Sequence, residues 1–404
     1  TNAPRGWIQL LVFSEQGAAN AFMQAHAVST RCVLLDSSSG ARAWFGVTSM
    51  NTSSVIDPQG ILRGGPRNPD DWDGVVDSWL AMIVPEFGGV QGALPSSVML
   101  TELGNAGVAA SITDMVGIGG RLVVGVRTPG STDSGLFDVN ATTGQFTLVY
   151  EGITKRVKKL HDGVYAPVAN RLIKLPAGGG AMVNHALPGL FDAASFKGAP
   201  YTAGGSGGNA LLYSIAPTTP YPLAYSEAGA FWYMARNRGE LYISDHGASR
   251  AAPCVALGEA AGSGSVRYLN PLNPSTNTAE IVAMENEGSR MYVAGRVGTT
   301  TGVTVYYDRT GERTVCTWTG GSNVRISDVV RHSDGNWYAV GWDTSNLRSL
   351  LLGSTDGASF STLAEFNDDR FISTTSGVLR ASIMSYRGQL YAGSSSNGKV
   401  YKVE

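Results

Sequence analysis

The chain has 404 residues, of which 30 are basic and 32 acidic, for a formal net charge of −2. Charged residues make up only 15%, Gly numbers 52, and 43% of residues are hydrophobic, so a packed core is expected and wholesale disorder is not. The densest basic cluster, Lys155-Arg156 with Lys158-Lys159, is too short for a nucleic-acid surface, and no apolar run approaches the ~18 residues of a membrane span. The chain is therefore read as binding no nucleic acid and inserting into no membrane.

In the first 97 residues, Trp7–Phe13 reads as a buried strand. Glu15–Ala27 reads as a helix, with Ser14 as N-cap and Ala18, Ala21, Phe22 and Ala25 on one face. Arg31–Leu35 and Ala41–Val47 read as further strands. Asn68-Pro69-Asp70-Asp71 is a helix start: an N-cap, Pro at the first position, then acids facing the positive end of the dipole. Trp72, Val75, Val76, Trp79, Leu80 and Ile83 follow on one face, and Pro85 ends it. Asp70, Asp71 and Asp73 are read as capping residues, because Pro69 and Leu80 fall where a calcium loop needs carboxylates. Residues 1–97 are thus expected to form a small α+β docking module. A start at Thr1 fits removal of an initiator Met or cleavage of a signal peptide.

Residues 98–404 are dominated by internal repetition. Seven segments share an alternating strand, a polar turn with Gly, then an apolar-aromatic pair and small residues. They are Ile112–Gly125, Val157–Ala166, Phe191–Ala203, Phe231–Ser244, Ile281–Gly295, Ile326–Gly341 and Leu379–Gly393. Aligned on the aromatic or its equivalent, the anchors are Val123, Tyr165, Tyr201, Tyr242, Tyr292, Tyr338 and Tyr391, spaced by roughly 36–53 residues. Four short strands with their loops need about that length, so a mainly β fold is expected: a seven-bladed β-propeller. Six or eight blades remain alternatives, Val157–Gly180 and Phe191–Gly208 being the most degenerate repeats.

Third and fourth strands follow the anchors. Gly135–Val139 and Phe146–Tyr150 flank a Thr-Gly turn, and Val303–Tyr307 and Arg313–Trp318 flank Asp308–Gly311. The last repeat stops at Lys399–Val403, its third strand. Ser97–Leu103 resembles an orphan fourth strand, so the spacing predicts that 97–103 pairs with 399–403 and closes the ring.

Motifs that carry chemistry are few. Gly204–Gly208 matches the G-x-S-x-G string of serine hydrolases, but no helix follows, and it reads as a flexible turn. Ser244-Asp245-His246 places three triad residue types side by side, which is not how a triad converges, so it reads as a blade turn. The five His form no zinc-binding string, and there is no phosphate loop or dinucleotide fingerprint. Catalytic residues, metal ligands and cofactors are accordingly expected to be none. Cys32, Cys254 and Cys316 are scattered and odd in number, which reads as three buried small side chains, with one bridge and a free thiol as the alternative.

Ser354-Thr355-Asp356-Gly357-Ala358-Ser359-Phe360 resembles the Asp-box of sialidase-like propellers, shortened by one residue. The resemblance implies a turn between third and fourth strands in which Asp356 caps backbone N–H groups, Ser354 and Gly357 shape the turn and Phe360 packs between sheets. The family's Arg-Ile-Pro segment is absent, so sialidase activity is not implied. Trp342-Asp343 is the Trp-Asp dipeptide within the repeats and lacks a matching Gly-His, which excludes a WD40 assignment. Short S-x-D-G-x-x-F hairpins, Ser/Thr/Gly-rich loops, low charge and an unrelated N-terminal module are similar to propellers of bacteriophage tail and tail-fibre proteins.

That resemblance implies a non-enzymatic virion protein, made in the host cytoplasm, whose N-terminal module docks to other tail proteins. The propeller loops would contact a host-surface glycan or protein. Candidate contacts are Trp232, Tyr233, Tyr306, Tyr307, Trp337 and Trp342, each also a candidate for packing between sheets. One alternative is a glycosidase or lyase on surface polysaccharide, with Glu227, Asp245, Glu285, Asp328 and Asp343 as the carboxylates to choose from. Another is a secreted carbohydrate-binding lectin.

Overall fold

The structure, a computed structural model, describes residues 92–404 apart from loop segments of at most seven residues, and the backbone of four short strands before them. Leu10–Phe13 pairs in parallel with Cys32–Leu35, and Ser53–Ile56 pairs antiparallel with Leu62–Arg67. The sequence reading did not anticipate the second pair. The helices expected at Glu15–Ala27 and after Asn68, and the strand at Ala41–Val47, lie outside the described residues. The chain divides into two compact units, Thr1–Trp72 and Asp73–Glu404.

The second unit is a seven-bladed β-propeller. Each blade is an antiparallel meander whose strands are called a to d from the axis outward. Blade 1 comprises Ser111–Ile118, Arg121–Arg127, Gly135–Asn140 and Phe146–Glu151, and blade 2 Lys158–Leu160, Gly163–Val168, Arg171–Pro176 and Val183–Ala186. Blade 3 comprises Leu190–Phe196, Ala199–Ser206, Asn209–Ser214 and Leu223–Ala228, and blade 4 Ala230–Asn237, Glu240–His246, Cys254–Gly258 and Val266–Leu269. Blade 5 comprises Ala279–Glu287, Arg290–Val297, Thr301–Tyr307 and Arg313–Val315, and blade 6 Val324–Arg331, Trp337–Asp343, Arg348–Ser354 and Ser359–Glu365. Blade 7 takes Ser382–Tyr386, Gln389–Gly393 and Lys399–Val403 from the C-terminus. Its strand d is Leu100–Asn105, in the register Leu100↔Val403 to Asn105↔Lys399.

The repeat has a packing cause. All seven anchors lie on strand b, and each joins the apolar cluster between its own blade and the next. Val123 packs between blades 1 and 2, Tyr165 between 2 and 3, and Tyr201 between 3 and 4. Tyr242, Tyr292 and Tyr338 continue the series, and Tyr391 packs between blade 7 and blade 1. Strand b is flanked by partners on both edges, so its faces alone are free to fill the wedge between sheets, and a large aromatic fills it well.

One strand departs from expectation. Arg313–Trp318 was read as continuous, but the chain crosses between blades at Cys316. Arg313–Val315 stays on blade 5, while Thr317–Trp318 pairs in parallel with Ser359–Phe360 as a fifth strand of blade 6. The crossing is stabilised by burial of Cys316 and by Trp318, whose ring lies 5.5 Å from that of Phe360. The Gly204–Gly208 run forms a two-residue hairpin. Gly207 and Gly208 both have positive φ, 60° and 81°, and a strand follows, not a helix.

The closing strand touches blade 1 through backbone. Gly144, at φ 72°, turns from strand c to strand d, and a Cβ there would lie 1.7 Å from the Leu103 carbonyl oxygen. Gly207 has the same handedness with nothing within 4 Å. Gly207→Ala is therefore expected to cost only the left-handed strain of about 1–2 kcal/mol. Gly144→Ala is expected to cost several kcal/mol more, because the closing strand must shift. Urea unfolding midpoints of the two variants measure the difference, and equal midpoints would contradict this account of closure.

Candidate functional site at the axial strands

The a strands of blades 1, 3, 4, 5 and 6 share a local irregularity. In blades 1, 3 and 6 the a–b register slips between Ile112 and Asp114, Leu190 and Asp192, and Ile326 and Asp328. A bulge leaves backbone N–H groups without ladder partners, and an aspartate immediately after it can collect them. Asp114 Oδ1 accepts from its neighbour Met115 N at 3.0 Å, Asp192 Oδ1 from Ala193 N at 2.8 Å and Asp328 Oδ1 from Val329 N at 2.9 Å. The other oxygen reaches the following blade. Asp114 Oδ2 accepts from Val157 N at 3.2 Å and Asp192 Oδ2 from Met234 N at 2.9 Å. Asp328 Oδ2 accepts from Ile383 N at 2.9 Å and Ser382 Oγ at 3.0 Å. Three carboxylates thus tie successive blades together at the axis.

Arg156, just before strand a of blade 2, is 1% exposed and spans these groups. Its Nε lies 3.0 Å from Asp114 and 3.9 Å from Asp192, and its Nη1 contacts Glu285 of blade 5. Lys158 Nζ reaches the other Glu285 oxygen at 2.6 Å. Burial alone would raise the affinity of Glu285 for a proton, but the two cations outweigh it and hold the carboxyl below its usual range. Burial raises Asp114, Asp192 (to about 6) and, together with the charges of Glu285 and Asp114, Asp328. Four carboxyls face two cations, so the aspartates bind their protons more tightly than free carboxyls do.

Of the five carboxylates read as catalytic candidates, Glu285 and Asp328 meet in this cluster. Glu227 is on the outer strand of blade 3 and accepts from Tyr225 and Tyr268 hydroxyls at 2.9 Å. Asp343 caps its own loop through Ser345 N and Asn346 N. Asp245 is the penultimate residue of strand b of blade 4, paired with Phe231.

The six aromatic candidates do not form one patch. Because all a strands run the same way, a-strand starts and b-strand ends share one end of the ring. Trp232 and Trp342 lie at that end, half-buried, with Trp342 under the Arg325 guanidinium at 5.5 Å. Tyr233 and Trp337 are buried, at 1% and 3% exposure. Tyr306 and Trp337 converge at the opposite end around Arg290, whose Cζ lies 4.2 and 4.6 Å from their rings. Tyr307 donates to Pro271 O.

The Ser354–Phe360 turn joins strands c and d of blade 6. Asp356 Oδ1 accepts from Ala358 N, Ser359 N and Ser354 Oγ, each at 2.8 Å, while Gly357 N donates to Ser354 Oγ and Phe360 is buried. Cys254 and Cys316 are buried free thiols. Among the described residues no group of His, Cys, Asp and Glu could hold a metal ion.

Sequence reading missed Asp114, Asp192 and Arg156. The signal for the aspartates was present: Asp114, Asp192 and Asp328 stand about nine or ten residues ahead of their anchors.

Replacing Arg156 by Met should destabilise the fold by about 3–5 kcal/mol, because buried carboxylates lose their counter-charge. Asp192 binds its proton more tightly folded than unfolded, so its contribution is full below about pH 4 and lost as pH rises through about 6. Wild type should therefore lose roughly 3 kcal/mol relative to Asp192→Asn between about pH 4 and 7. Urea titrations across that range test this, and parallel profiles would contradict it.

No protein-family model matches the sequence, and no curated protein matches it. Among solved structures, the extracellular domain of a hybrid two-component system from B. thetaiotaomicron matches at 11% identity with a TM-score of 0.49. It covers 75% of this chain, which spans only 39% of that one. The AfRom2 CNH domain matches at 10% identity and TM-score 0.44, covering 76% of this chain and 98% of its own. BamB from Moraxella catarrhalis matches at 15% and 0.36, covering 78% and 97%. At these values the likenesses concern the fold and leave the reading of the axial cluster to its own geometry.

Proposed function

We propose that this chain is a non-enzymatic binding protein of a bacteriophage tail or tail fibre. In this reading residues 1–97 dock to the particle and residues 98–404 present one propeller face to a host-surface ligand. The observation that carries the non-enzymatic part is the commitment of the axial carboxylates. Both oxygens of Asp114, Asp192 and Asp328 accept backbone N–H groups, and Glu285 is held by Arg156 and Lys158. A general acid or nucleophile needs an oxygen aimed at substrate. The virion setting is supported by the tail-protein resemblance of the sequence.

A second reading, a polysaccharide-acting glycosidase, is favoured by one observation. Arg156 and Lys158 hold Glu285 below its usual range while burial and neighbouring acids push Asp328 up, and carboxyls whose proton affinities diverge in that way can serve as nucleophile and acid.

Incubating the purified chain with a panel of bacterial cells and their extracted polysaccharides separates the two. The first reading expects sedimentation with cells of a recognised strain and no release of reducing ends. Failure to sediment with any strain counts against it. Release of reducing ends that Asp328→Asn abolishes would establish the second reading instead.

A further inference from the structure

Beside the buried Arg156 network, the charge balance reverses. Lys155 and Arg127 are half-buried cations for which no carboxylate partner is present among the described residues. Arg127 ends strand b of blade 1, and Lys155 precedes strand a of blade 2, which places both at the end of the ring that carries Trp232. Burial pushes the Lys155 ammonium down to about 8, with Arg127 adding to the effect, and burial also lowers Arg127. Two cations this close, partly out of water, cost free energy unless an anion joins them.

The same cations adjoin an aromatic layer. Lys155 Nζ lies 4.3 Å from the centre of the Phe191 ring, and Phe191 stacks on Trp232 at 4.8 Å and 6°. Tyr233 packs edge-on against both, at 5.6 and 6.4 Å, and its backbone N–H is held by Ser244 Oγ at 2.8 Å. Phe191 and Trp232 lie near the starts of the a strands of blades 3 and 4, one residue before Asp192 and two before Met234, so the inter-blade bond between those residues helps fix the layer. An aromatic stack beside cations that have no carboxylate partner among the described residues matches a ligand with a ring bearing an anionic group.

We infer that Arg127, Lys155, Phe191 and Trp232 form a binding site for an acidic saccharide, the cations taking its carboxylate or sulfate and the edge of the stacked aromatic pair lying against its ring. The inference rests on the reading of the propeller as a binding platform and names the chemistry of its ligand.

Calorimetric titration of the full chain with oligogalacturonate, a heparin-derived sulfated oligosaccharide and a neutral dextran oligosaccharide tests it. Wild type is expected to bind at least one acidic probe and not the neutral one, with inorganic sulfate competing. The probe that binds distinguishes carboxylate from sulfate. Lys155→Met, Arg127→Gln and Phe191→Leu, made singly, should each weaken binding about tenfold or more. Arg121→Gln, which removes a cation at the opposite end of the Arg127 strand, should leave it unchanged. No binding of either acidic probe by wild type, equal binding of the neutral probe, or full binding by the Lys155 and Arg127 variants would overturn the site. Wild-type sedimentation with cells in the absence of acidic-probe binding overturns this inference alone; loss of both overturns the binding reading as well.

Discussion

The inner strands of five of this propeller's seven blades bulge, and those bulges must be satisfied. Seven sheets converging on one axis crowd the a strands, and an irregular register there exposes N–H groups where water is scarce. Asp114, Asp192 and Asp328 answer this by accepting one N–H from their own strand and one from the next blade. Hydrogen bonds to a charged or strongly polarised acceptor contribute about 1.5–3 kcal/mol each, and leaving a buried N–H unpaired costs a similar amount. The devices therefore act on blade-to-blade geometry, which the apolar clusters alone fix less sharply.

The price of that solution is buried charge, and Arg156 moderates it. Its guanidinium serves Asp114, Asp192 and Glu285, which come from three different blades. A planar, multiply donating cation suits this position better than an ammonium, which bonds as a point charge. Lys158 takes the remaining Glu285 oxygen. Two cations do not neutralise four carboxyls, and the imbalance, together with burial, pushes the proton affinities of Asp192 and Asp328 up.

Much of the fold was legible in the sequence because it depends on local periodicity. The Tyr anchors recur because each fills the same wedge between blades, and the orphan strand was visible because the last repeat lacked a fourth. The axial cluster was not legible in the same way. Arg156 and Glu285 are brought together across the ring, so no spacing in the chain announces their contact, and Lys155–Lys159 read simply as a short basic run. The aromatics Trp232 and Trp342 could be named from composition, but nothing local indicated that Tyr233 and Trp337 would be enclosed. The crossing at Cys316 escaped because Arg313–Trp318 alternates like one strand.

The central claim is that the axial aspartates hold neighbouring blades together through Val157, Met234 and Ile383. Native-state hydrogen exchange of those three amides tests it most directly. The account predicts that they exchange only through global unfolding, with the free energy of the best-protected strand amides. Exchange orders of magnitude faster than that of amides in the adjoining b strands would contradict it.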